Sequence, residues 1–367
     1  MSNRRNFSLD VLRGIAVLLV LLRHTPGGAT EGFPRIPFEL GWTGVDLFFV
    51  LSGYLLGGIL LDHRHSPRYF RAFYARRIWR TLPLYALLLM AGGAVAFGGY
   101  DRSIQILQET LPWWSYVTMT QNITRATHAA YGSVFTAPTW SLAIEEQFYL
   151  VLPLLLSAIT SRRVPLLAAV AFLGAPLLRA AAATSHVADP FAAAYAWPQC
   201  RIDVFAVGVL AAWVVRNRPS AVSGSWLPAF AAAAATVAMT VAFVGPRLAI
   251  YVAVFYSALA CCYGAVVLRL ATSHAGMVPR ICRLPWLRWT GIRAYAIYLF
   301  HIPVVHAVHW IAFGYPLLNG HGLRSVFASA TALAVTLGLA HLSWIWFESP
   351  LVRWSRARWT YEAAVAG

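Results

Sequence analysis

The stretch LDVLRGIAVLLVLLRH, residues 9–24, decides how the rest of the chain is read. It lies in a block, residues 8–25, with the length of a membrane helix, which needs about 17–25 residues, yet it carries Arg13, Arg23 and His24. A charge inside a membrane helix costs roughly 2.5–3.5 kcal/mol on insertion scales, so each such residue is a functional candidate. Arg13 and His24 stand eleven positions apart, a rise of about 16 Å and three turns nearly in phase. Both therefore face one seam of the helix. Arg23 lies off that seam and reads as an interface anchor.

The same pattern recurs along the chain. Of its 367 residues 59% are hydrophobic and 11% charged, with the hydrophobic residues in long blocks. That is the composition of a polytopic membrane protein. Ten blocks read as spans, near 8–25, 43–61, 82–99, 141–160, 164–183, 202–216, 227–244, 248–270, 292–313 and 325–347. The expected fold is an all-α polytopic membrane protein of about ten transmembrane helices, one domain over residues 1–367. No small-residue cleavage site clearly follows the first block, so it reads as a retained span rather than a signal peptide.

Every one of the 29 basic residues is arginine, and the formal charge is +16. On a soluble chain this would point to nucleic acid; here topology accounts for it, and no nucleic-acid partner is expected. With the N-terminus inside, nineteen arginines fall in inner segments, against Arg35, Arg102, Arg125, Arg179, Arg247 and Arg324 in outer ones. Cytoplasmic loops carry that excess, so both termini are expected in the cytoplasm. The long connection 100–140 contains ETLPWWSYVTMTQN, and its aromatic residues suit an outer cap or re-entrant cover. Cys200, Cys261, Cys262 and Cys282 have no metal-binding spacing, and no metal is expected.

Polar residues converge in depth. Span one runs outward and places His24 near its outer end, where span two begins with Asp46 and span four with Glu145 and Glu146. Adjacent residues on a helix diverge by about 100°, so one of the two glutamates faces the same interior. A neutral imidazole beside a carboxylate suits a general base, because the carboxylate fixes the tautomer and stabilises the imidazolium. The same pair suits a proton relay in a transporter, and spacing does not choose between them. At the other end, RYFRAFYARRIWRTLPLY, residues 68–85, gathers Arg71, Arg76, Arg77 and Arg80. Such a patch fits phosphate recognition, and equally positive-inside topology with anionic lipid binding. His306 and His309 share a helix face without a completing ligand set.

These motifs together resemble the membrane-bound acyltransferase 3 family. LDVLRGIAVLLVLLRH resembles its signature of arginine, ten residues and histidine, here Arg13 and His24. GVDLFFVLSGYLL, residues 44–56, resembles the second-span motif around Asp46; RRIWRTLPLY, residues 76–85, resembles the arginine motif of span three. TWSLAIEEQFYL, residues 139–150, places Glu145 at the family's glutamate, with weaker echoes in RIDVFAVG at 201, YAIYLFHIPVV at 295 and FESP at 347. The set runs in family order over nearly the whole chain.

The resemblance implies a multi-pass enzyme of the bacterial cytoplasmic (inner) membrane. It would move an acyl group, commonly acetyl, from cytoplasmic acyl-CoA to a hydroxyl of a carbohydrate, glycolipid or glycosylated natural product. Acyl-CoA is then a substrate, with no permanently bound cofactor, and the partners are membrane lipids, acyl-CoA and the glycoside acceptor. It implies His24 as general base oriented by Asp46, with Arg13 and Glu145 in support and Arg76, Arg77 and Arg80 on the CoA phosphates. Trp140, Tyr149, Arg201, Asp203 and His301 are the candidate acceptor-site residues; Arg201 and Asp203 read either as a local pair or as an interfacial helix start. A covalent route through Ser52 or Ser141 is the lesser alternative, since small residues there also permit close helix packing. The fused SGNH hydrolase-like domain of some members is not expected. The competing class is a proton-coupled transporter or flippase of a glycan or acylated compound.

Overall fold

The computed structural model describes residues 7–24, 40–97, 111–130, 132–133, 135–222, 230–238, 249–272, 280–314 and 323–362. Among them the regular structure is helical, without strands. α1 (Phe7–His24) is followed by a 3₁₀ turn, Leu40–Thr43, that leads into α2 (Gly44–Asp62). α3 (Tyr69–Phe97) is one 29-residue helix, so the arginine motif forms the first turns of the span itself. Two short helices, α4 (Trp113–Val117) and α5 (Gln121–Thr127), form the described part of the long connection before α6 (Thr139–Ala158) and α7 (Val164–Ala183). The order continues with α8 (Pro190–Ala196), α9 (Ile202–Asn217), α10 (230–238) and α11 (Ala249–Thr272). It closes with α12 (Pro285–Ile292), α13 (Ala294–Phe313), α14 (Leu323–Ser343), a π-helical turn at Trp344–Glu348, and α15 (Ser349–Arg358).

Eight helical stretches among the described residues are long and apolar enough to cross a membrane, and they coincide with eight of the ten expected blocks. The first block folds as α1, and three charged residues, Asp10, Arg13 and Arg23, share its eighteen residues. Of the block 227–244 only 230–238 is described, as α10; the rest lies outside the described residues. The last stretch, Leu323–Arg358, runs well beyond the expected 347 because the π turn continues α14 into α15.

α2 is apolar all round and sits at the centre, packed on α9, α1, α11 and α6. Its approach to α9 depends on two glycines. A Cβ on Gly53 would strike the Phe205 carbonyl, and one on Gly208 would strike the Val50 carbonyl. Small residues at such contacts let membrane helices close on each other, where dispersion rather than water exclusion drives association. Phe49, Phe205 and Phe148 then stack through the gap, with ring centroids 4.7 and 4.0 Å apart. α7 turns Leu166, Val170, Leu173 and Leu177 outward along one exposed stripe, as a lipid-facing helix does.

The short helices are fixed by amides rather than by apolar burial. Gln121 donates to the Thr139 carbonyl at 3.0 Å, and Asn122 donates to the Ala196 carbonyl at 3.0 Å and to Gln147 at 3.1 Å. Gln147 returns a bond to the Met119 carbonyl at 2.6 Å. Buried backbone carbonyls in non-helical connections need such donors, and these bonds seat the connection on the start of α6.

Candidate active site

Helical phase selects which arginines meet. Arg77 and Arg80 are three apart on α3 and share a face. That face lines a cavity with Arg13 of α1, Ser52 of α2, Glu145 and Tyr149 of α6, and Tyr298 of α13. The cavity and its open mouth together span about 800 Å³ of empty space. Arg76, grouped with these two from the sequence, points elsewhere. Its Nε donates to the Trp359 carbonyl at 2.6 Å, Nη2 to the Arg356 carbonyl at 3.3 Å, and its guanidinium lies 4.8 Å over the Tyr361 ring. One residue of offset turns Arg76 about 100° from Arg77, so it holds the C-terminal segment instead of the cavity.

Glu145 sits in the cavity wall with both oxygens engaged. Ser52 donates to Oε1 at 3.0 Å and Tyr149 to Oε2 at 2.9 Å, with Tyr149 also 3.2 Å from the Ser52 hydroxyl. Tyr149 follows Glu145 by four residues, one helical turn, which is why the two meet. Tyr149, expected at an acceptor site, lies in the wall of the arginine-lined cavity. Arg13 lies 3.8 Å from Asp10, one turn before it on α1.

Tyr298 and Ser141 close the other end of the cavity. The Tyr298 hydroxyl donates to the Pro138 carbonyl at 2.9 Å, and Ser141 stands 2.5 Å from it. A phenol has one proton; with that proton on Pro138, Ser141 is the donor to the phenol oxygen. The Tyr298 carbonyl in turn takes the Nδ1–H of His301 at 2.6 Å. His301 is fully buried against the half-buried His24, with Nε2 of His301 3.3 Å from Nδ1 of His24. His24 Nδ1 also faces the Val20 carbonyl at 2.9 Å. The seam from Arg13 to His24 thus runs alongside the cavity from its arginine lining to the histidine pair beyond Tyr298.

Asp46 does not hold the His24 ring. It pairs with Arg201, and neither side chain is exposed. Arg201 lies 4.3 Å over the Tyr256 ring and 5.4 Å over that of Tyr195. Arg201 and Asp203 are not a local pair either, and neither reaches a surface that an acceptor could touch. Asp203 binds Arg179 at 2.9 Å, with Ser257 donating to the same carboxylate oxygen at 2.6 Å. Arg179, counted from its sequence position among outer-segment arginines, lies within α7 with no exposure and also donates to the Cys200 and Ala253 carbonyls at 2.6 and 2.8 Å. A buried charge is tolerated when it is paired and hydrogen-bonded, and these two pairs lock α2, α7, α9 and α11 together.

Of the remaining candidates, Trp140 packs 4.7 Å from Tyr195 and 5.8 Å from the Arg125 guanidinium. His301 stands beside His24 rather than at a separate acceptor surface. Sequence reasoning did not single out Tyr298, and it treated Ser52 and Ser141 as packing or nucleophile positions. Their partners lie 93 to 160 positions away, beyond the reach of any local pattern.

The family model described as "Acyltransferase domain" matches residues 6–343. The chain is 28% identical over 364 residues to the peptidoglycan O-acetyltransferase OatA of Listeria monocytogenes, covering 94% of this chain and 55% of that protein. It is 30% identical over 336 residues to the putative peptidoglycan O-acetyltransferase YrhL of Bacillus subtilis, covering 81% and 48%. A third relative, the putative membrane-bound transacylase BcsY of Komagataeibacter xylinus, is 30% identical over 365 residues, covering 91% and 81%. The chain thus spans about half the length of the first two relatives. No solved structure matches it.

Proposed function

The chain belongs to the acyltransferase 3 family, and from that premise we propose that it is an integral membrane O-acyltransferase. It moves an acetyl group from cytoplasmic acyl-CoA to a hydroxyl of a carbohydrate. The names of two relatives, peptidoglycan O-acetyltransferases, make a cell-wall glycan the first acceptor to test. The observation that carries the reading is the convergence of Arg13, Arg77 and Arg80 in one cavity that Tyr298 also lines, the carbonyl of Tyr298 being bonded to His301, the neighbour of His24.

Guanidinium groups bind phosphate by charge-assisted hydrogen bonds, so this patch would hold the nucleotide end of the donor. The thioester lies on a long flexible arm, and the distance from Arg13 to His24 along α1 is about 16 Å. His24 is the general base. The two ring nitrogens are not equivalent: a carbonyl only accepts, so the Val20 carbonyl favours a proton on Nδ1 and a bare Nε2. Nε2 removes the acceptor proton, the hydroxyl oxygen bonds the thioester carbonyl carbon, and the carbon–sulfur bond breaks. The imidazolium returns its proton to the departing sulfur, which leaves as the CoA thiol. Glu145, Ser52 and Tyr149 shape the middle of the cavity and keep a carboxylate opposite the arginines.

The experiment is incubation of purified protein with acetyl-CoA and peptidoglycan fragments, with thiol release and a mass gain of one acetyl group on the glycan as readouts. Thiol release no greater than that of His24→Ala would sink the proposal. A proton-coupled carrier of the same glycan would release no thiol.

A further inference from the structure

Two histidines meet without a carboxylate between them. Nδ1 of His301 faces the Tyr298 carbonyl at 2.6 Å, just as Nδ1 of His24 faces the Val20 carbonyl at 2.9 Å. Each neutral ring therefore carries its proton on Nδ1. His301 Nε2 is then a lone pair, 3.3 Å from the Nδ1–H of His24, and the rings stand edge-on with centroids 4.9 Å apart and planes at 62°. That proton is shared between the Val20 carbonyl and His301. Asp46, the carboxylate expected to orient the ring, is committed to Arg201.

We infer that His301 is a positioning residue for His24: a neutral imidazole acceptor that reinforces the Nδ1–H tautomer favoured by the Val20 carbonyl and shares the charge of the imidazolium. The inference rests on His24 being the general base. His301 exchanges no proton in the reaction; the acceptor proton enters and leaves through His24 Nε2. A carboxylate commonly fills this role; here the neutral ring of His301 supplies the directional acceptor. The adjacent residue on the same helix, Arg23, is itself a cation, and an uncharged acceptor on the imidazolium N–H supplies a charge-assisted hydrogen bond there.

The test compares His301→Leu, which removes the acceptor, with His301→Gln, whose amide oxygen can accept from His24 while its NH₂ donates to Tyr298. ¹⁵N spectra of histidine-labelled full-length protein in nanodiscs, assigned by difference with His24→Ala, read the tautomer without needing any acceptor. The expected result is a single Nδ1–H tautomer for His24 in the wild type and in His301→Gln, and a mixture of tautomers in His301→Leu. In acetyl-transfer assays His301→Leu should lower kcat by about tenfold or more with KM for acetyl-CoA unchanged, the mark of an interaction made in the transition state. His301→Gln should recover most of that loss. A wild-type His24 protonated on Nε2, or a His301→Gln variant no better than His301→Leu in both readouts, overturns the inference. If His24→Ala retains full transfer, the general-base reading itself fails; if it abolishes transfer while His301→Leu does not lower kcat, only the role of His301 fails.

Discussion

Asp46 of α2 and Arg201, the residue just before α9, form an ion pair with no exposure on either side chain, about two turns ahead of the contact where Gly53 and Gly208 bring the two helices together. Removing one partner of such a pair strands the other charge, at a cost of about 3–5 kcal/mol. Asp46→Ala should therefore lower thermal stability sharply, and Arg201→Ala should do the same. The double variant Asp46→Leu with Arg201→Met should recover most of the loss. Denaturation midpoints of the purified variants check this. A stable Asp46→Ala protein lacking activity would instead return Asp46 to the chemistry.

The two classes of arginine on α3 separate in donor kinetics. Arg77→Gln and Arg80→Gln each remove a charged donor from the cavity, and a hydrogen bond to a charged group is worth about 1.5–3 kcal/mol. KM for acetyl-CoA should rise by about tenfold to a hundredfold in each. Arg76→Gln should leave KM unchanged and expose the segment around Trp359 to protease. Steady-state kinetics with limited proteolysis distinguishes the two outcomes, and a raised KM in Arg76→Gln would contradict the assignment.

Gly208 admits no side chain, because its Cβ position is occupied by the Val50 carbonyl and lies close to Gly53. Gly208→Ala must push α9 away from α2, at a cost of roughly 1–3 kcal/mol for overpacking. Gly174 and Gly338, with no atom near their Cβ positions, should accept alanine without loss. Melting temperatures of the three variants give the comparison.

The C-terminal segment should loosen in acid. His63 stacks on Tyr361 with centroids 4.0 Å apart, and burial followed by nearby Arg76 holds its imidazole below the usual histidine range, against the opposing pull of Asp62. A histidine with a depressed native value binds protons more readily once the contact is released, so stability present above the ordinary value near 6.5 declines as pH falls below it. Protease cleavage after residue 349 should therefore increase between about pH 7 and pH 5. His63→Phe, which keeps the ring and loses the titration, should remove that pH dependence; an unchanged dependence in this variant would assign it to another group.

The sequence by itself determined the class of fold and the chemistry available to it. Long apolar blocks dictate membrane helices because a bilayer leaves backbone groups no partners but each other, and the order of motifs around Arg13, His24, Arg77, Arg80 and Glu145 identified the family. Those readings depend on local spacing, and helical phase is local. Which polar groups face one another was decided only by packing. Asp46 finds Arg201 across 155 positions, His24 finds His301 across 277, and Arg76 is claimed by a segment 283 positions further on. Depth along a helix can be counted from the sequence, but the rotation of each helix about its axis is set by close contacts such as those of Gly53 and Gly208 between α2 and α9. Packing turned Asp46 to Arg201, and the contact of α1 with α13 left a histidine rather than an aspartate beside His24.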